Sequence, residues 1–169
     1  MANIRAYRRC LPSNCHNRKI KFKMAVSAWT VRFNIIEFMA SEAVNQVVAD
    51  YYRDFSTLNV QAILPYFNEP SLLVGPQGVI SIPDHAALVA VFGPVMEGLR
   101  ARGYGRSELE LIHIKSLSSS AALIGGVAVR YKTDGQPLDR VGVTYVLHKT
   151  GSGWKFATVI FHDPNTLTL

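Results

Sequence analysis

Glu108-Leu109-Glu110-Leu111-Ile112-His113-Ile114-Lys115 alternates apolar and polar residues as a half-buried strand should, but its apolar phase slips from odd to even positions between Leu111 and Ile112. Successive strand side chains point to opposite faces, so a slip of this kind predicts a bulge or sharp bend at that point. A long bent strand implies a curved sheet. The residues that follow continue it. A strand is predicted over Ala121 to Lys132, a turn at Thr133-Asp134-Gly135-Gln136, and a return from Leu138 to Lys149. The Asp-Gly pair is a strong hairpin signal because glycine enters the left-handed region without penalty. Thr150-Gly151-Ser152-Gly153 then leads to a last strand, Trp154 to His162, which Asp163-Pro164 ends.

Upstream, Val44, Val47, Val48, Tyr51, Phe55 and Leu58 keep helical spacing from Ser41 onward, with Glu42, Asn45, Gln46, Asp50, Arg53 and Asp54 opposite. Asn59 is placed to cap a short second helix through Leu64, closed by Pro65 and an Asn68-Glu69-Pro70 turn. Ser71 to Val74 and Val79 to Ile82 read as strands joined by Gly75-Pro76-Gln77-Gly78. Asp84 caps a third helix carrying Leu88, Val91, Phe92, Val95 and Leu99, in which Gly93-Pro94 predicts a kink. The expected architecture is α+β in the order α-α-β-β-α-β-β-β-β. It is a cone-shaped, curved, largely antiparallel but mixed sheet with three helices on its concave face.

This order, with Val60-Gln61-Ala62-Ile63-Leu64-Pro65-Tyr66-Phe67 after the first helix and Gly153-Trp154-Lys155-Phe156 opening the last strand, resembles the nuclear transport factor 2-like superfamily over residues 40–165. That superfamily includes ketosteroid isomerase, scytalone dehydratase, limonene epoxide hydrolase and the SnoaL-type polyketide cyclases. The resemblance implies a pocket between the long helix and the concave sheet, often with dimerisation through the other sheet face. It also implies a ketosteroid isomerase comparison: Tyr51 falls at the oxyanion-hole tyrosine, Gly75 at the catalytic base, and Thr144 or Tyr145 at the partner acid. Without a carboxylate at Gly75 nothing accepts the proton, so isomerase activity is not expected.

The candidate pocket lining is Tyr51, Phe55, Tyr66, Tyr145, Trp154 and His162, since aromatic side chains with polar tips suit an apolar site with few polar anchors. Other titratable candidates have ordinary explanations. His85 opens a helix, His113 lies opposite two isoleucines, and His148 is beside a turn. Strict alternation puts Trp154, Phe156, Thr158, Ile160 and His162 on one strand face, which makes His162 the catalytic candidate, with Asp163 pointing the other way and Asp54 also available. Both faces of this strand are apolar, and an uncovered second face predicts a homodimer packed sheet to sheet. Two functions follow: binding, or lyase-, isomerase- or hydrolase-type turnover, of a small apolar or aromatic molecule, or a non-catalytic dimeric scaffold.

Charge divides the chain at Met39. Residues 1–38 carry eight Lys/Arg against Glu37, and the other 131 residues carry ten against eleven acids. The net charge of +6 therefore belongs to the tail, and nucleic acid is not the expected partner of the domain. Residues 1–39 read as a basic extension, either disordered or preceding a later true start at Met24 or Met39, and 40–169 as the domain. Its Arg-rich character also fits organellar import, against a cytoplasmic default. Cys10, Cys15 and His16 give three of the four ligands of a structural zinc, so no metal is expected. No cofactor fingerprint appears, and no apolar run reaches the roughly 18 residues of a membrane span.

Overall fold

The computed structural model describes residues 28–166. Helix α1 (Ala28–Phe55) is followed by α2 (Val60–Ile63), a 3-10 turn (Leu64–Tyr66), and strands β1 (Phe67–Gly75) and β2 (Gly78–Ile82). Helix α3 (His85–Ala101) precedes β3 (Tyr104–Ser116), β4 (Ala121–Lys132), β5 (Pro137–Thr150) and β6 (Gly153–His162). The strands form one sheet in the order β2-β1-β6-β5-β4-β3, in which β1 and β6 run parallel and every other pair antiparallel. The expected α+β, mixed, curved-sheet architecture is the one observed.

The caps are where the sequence places them. Asn59 accepts from the Gln61 amide at 3.1 Å and Asp84 from the Ala87 amide at 2.8 Å, each satisfying an amide that has no partner within the helix. Two expectations change. The first helix starts at Ala28 rather than Ser41 and runs through Met39 without interruption. Asn68-Glu69-Pro70 lies inside β1 rather than in a turn, because the β1–β6 register shifts between Phe67 and Leu72, and the looped-out residues accommodate a proline that cannot donate to the ladder. The zinc-like trio Cys10, Cys15, His16 and the basic run Arg18 to Lys23 fall outside the described residues.

Two of the sheet's register shifts bear on the site. In β3 the register to β4 slips between Glu110 and His113, where the apolar phase of the sequence slips. Gly126 opposite this bend has the Leu109 side chain so close that an added Cβ would meet it at 2.8 Å, so only glycine allows the fold-over. The second bulge is in β6: Val146 pairs with Thr158 and Leu147 with Phe156, leaving Ala157 unpaired. The core lies between the concave face and the helices, with Phe67, Phe156, Ile63, Leu88, Ile124 and Leu147 among its fully buried side chains. Each such side chain contributes about 1.5–3 kcal/mol through burial.

Candidate functional site

The bulge at Ala157 decides what faces the interior. Phe156 is wholly buried before it, and Val159 after it, so the inward phase changes from even to odd residues. Trp154 and Phe156 are therefore part of the core, while Phe161 turns in toward the cavity described below. His162 is sent outward, which corrects its placement with Trp154 and Phe156 on one face. Its Nδ1 donates to the Asp163 carbonyl at 2.9 Å, and its Nε2 lies 3.2 Å from the Thr144 hydroxyl. The ring lies directly over Gly142, at a position where any Cβ would collide with it.

Between α1, α3 and the sheet lies a cavity of about 90 Å³. Helix α1 supplies Tyr51, Tyr52 and Phe55, α3 supplies Val91, Phe92 and Val95, and the sheet supplies Leu73, Ser107, Ala128, Arg130, Val143, Tyr145 and Phe161. Val95 is exposed and Val91, Phe161 and Arg130 are half-buried, so these four mark the mouth. Of the expected lining, Tyr51, Phe55 and Tyr145 are brought together; Tyr66, Trp154 and His162 are not. Trp154 is a core residue, with the Lys149 ammonium 6.0 Å from its ring centre. Tyr66 packs edge-on against Tyr51, 5.8 Å between ring centres, and donates its hydroxyl proton to Asp54 on the outside of α1. Asp54 is held below the usual carboxylate range chiefly by this bond, and Tyr66 is pushed up to about 12 by burial and by the Asp54 bond.

The interior is a cluster of phenols. Tyr52 and Tyr145 share a hydrogen bond of 2.6 Å, and Tyr51 stacks edge-on to Phe156 at 4.9 Å. Burial raises the pKa of Tyr51, Tyr52 and Tyr145, while the Arg130 charge acts in the opposite direction on all three. They are neutral hydrogen-bonding groups at any ordinary pH. Beside them Tyr104 and Ser107 are 2.6 Å apart, and the Ser107 amide donates to Ser56 Oγ at 3.1 Å, fastening β3 to the end of α1. Tyr52 and Ser107 also border a broader cleft of about 410 Å³ between α1 and β3, lined further by Asn45, Arg53 and Glu108. Tyr52 thus separates an apolar interior from a polar outer groove.

Neither the Gly75 position nor that of Thr144 or Tyr145 brings a carboxylate to the cavity, and its lining contains no acid and no histidine. The other described histidines are elsewhere. His113 and His148 are exposed, and His85 is half-buried beside Glu69 at 3.7 Å. Among the described residues no group of three His, Cys, Asp or Glu could hold a metal ion, and no helix is long and apolar enough to cross a membrane. Sequence reasoning missed Tyr52 and Arg130. The signal for Arg130 was present, since it shares the phase of Ile124 and Ala128 in an otherwise apolar strand.

The family model described as NTF2-like protein (DUF6841) matches residues 41–164, and the chain belongs to that family. Among solved structures, an NTF2-like protein with a cystatin-like fold from Novosphingobium aromaticivorans is similar, with a TM-score of 0.66 at 13% identity over 81% of this chain and 90% of that one. A protein of unknown function with a cystatin-like fold from Nostoc punctiforme gives 0.61 at 16% identity, covering 72% and 90%. Aln2 from a Streptomyces species gives 0.60 at 13%, covering 73% and 89%. At these identities the likeness is one of fold. No curated protein matches the chain.

Proposed function

We propose that this member of the family binds a small apolar or aromatic molecule at the wide end of its cone and does not act on it as a ketosteroid isomerase does. The observation that carries the reading is the lining itself, an aromatic cavity with neutral phenols and one guanidinium but no carboxylate or imidazole. Phenols that keep their protons can orient a ligand by hydrogen bonds, whereas proton abstraction needs a base titrating near the working pH. At about 90 Å³ the cavity is below the roughly 150 Å³ of an engineered apolar cavity that admits benzene, so one ring enters only in part unless the mouth yields.

The test is thermal stability of the full chain with a panel of small aromatic and terpenoid compounds. A ligand that binds only the folded state adds about 2.7 kcal/mol at a hundred times its Kd, so at least one compound raises Tm in a saturable way. A panel without any such compound overturns the reading in favour of a filled scaffold. That second reading has its own support in the outward face. Thr144, Val146, Thr158 and Ile160 are only half-buried there, and self-association would cover them. Sedimentation at micromolar concentration that shows only monomer removes it.

A further inference from the structure

We infer that the ligand is an anion, a monocyclic aromatic carboxylate whose ring enters the cavity in part while its carboxylate is held by Arg130 at the mouth. This rests on the ligand-binding reading above and gives it a chemical class. Arg130 is the charged residue among the cavity's lining, on the same β4 face as Ile124 and Ala128 and across the ladder from Ser107 and Asp139. Its side chain is only 19% exposed. A cation removed from water needs compensating acceptors.

The compensation available is incomplete. Asp139 approaches Arg130 at 3.4 Å, well beyond the 2.7–2.9 Å of a good charge-assisted bond, and gives its close contact of 2.8 Å to Arg102 instead. Two guanidinium groups therefore share one carboxylate, and the mouth keeps a surplus positive charge. A second carboxylate supplies what is missing, because its two oxygens match the planar fork of donors. The apolar part follows from Phe55, Phe92, Phe161 and Tyr51, which offer ring faces and edges to one aromatic ring.

The experiment is calorimetric titration of the full chain with benzoate and with benzamide, which has the same shape but no charge. Benzoate is expected to bind roughly tenfold or more tightly than benzamide, the usual worth of a hydrogen bond to a charged partner. Arg130→Gln weakens benzoate far more than benzamide and brings the two affinities together. Asp139→Asn removes the competing carboxylate and tightens benzoate a few-fold, the opposite of what loss of a merely structural ion pair would do. If benzamide binds as well as benzoate, or Arg130→Gln leaves benzoate affinity intact, the anion inference is overturned and the aromatic pocket stands. If Arg130→Gln does not fold, the Asp139→Asn result decides, and unchanged or weaker benzoate binding overturns the inference. Failure of both compounds on the wild-type chain overturns the pocket as well.

Discussion

The two halves of β6 are both apolar with polar residues among them, and they have opposite roles. Before Ala157, Trp154 and Phe156 are sealed into the core; after it, Phe161 borders a cavity and His162 lies on the outer surface. One unpaired residue produces the difference by reversing which parity faces in. The comparison shows that in a strand apolar on both faces the placement of a functional residue depends on register more than on residue type.

The largest effect that sharpens this contrast is on stability. Phe156→Ala empties a fully enclosed site and should cost about 3–5 kcal/mol in urea denaturation. Phe161→Ala, at a half-exposed mouth, should cost about 1 kcal/mol and enlarge the cavity. Equal costs for the two would mean that both ends of the cone are packed alike.

A smaller effect tests the outward position of His162. Gly142→Ala drives a methyl group into the imidazole and the Asp163 carbonyl and should destabilise by about 2 kcal/mol. Adding His162→Ala should recover part of that loss, since the carbonyl obstacle remains. His162→Ala alone should leave ligand binding unchanged. A loss of binding would place the ring inside the cone.

The smallest effect separates Tyr66, outside the cavity, from the phenols within. Its pKa of about 12 in the folded chain lies above the ordinary value near 10, so the folded state keeps a proton that the unfolded chain releases. The corresponding stability is complete below pH about 10 and is lost as pH rises toward about 12. Tyr66→Phe should therefore flatten the decline of Tm across that window. Part of the decline remains, because Tyr51, Tyr52 and Tyr145 are raised as well.

How much of this was legible in the sequence follows from where alternation leaves a trace. The bulge in β3 was readable because Leu109 and Leu111 stand against glutamates, so the switch to Ile112 and Ile114 is visible. The bulge in β6 was not, because Phe156, Ala157, Val159, Ile160 and Phe161 read as apolar in either phase. From that came the misplaced His162. Tyr51, Phe55 and Tyr145 were found because they lie on a helical stripe or in an alternating strand with a clear inner face. Tyr52 lies one residue off the stripe, and its role depends on meeting Tyr145 across 93 residues of chain, which no local pattern records.

The most direct test of the central claim is a side-chain NOE experiment on labelled protein that reads the two halves of β6 together. The account predicts contacts from Phe156 to Tyr51, from Phe161 to Val143 and from His162 to Thr144. Contacts from His162 to Tyr51 or Tyr145, with Phe161 against Thr144, would contradict it and return the histidine to the cavity.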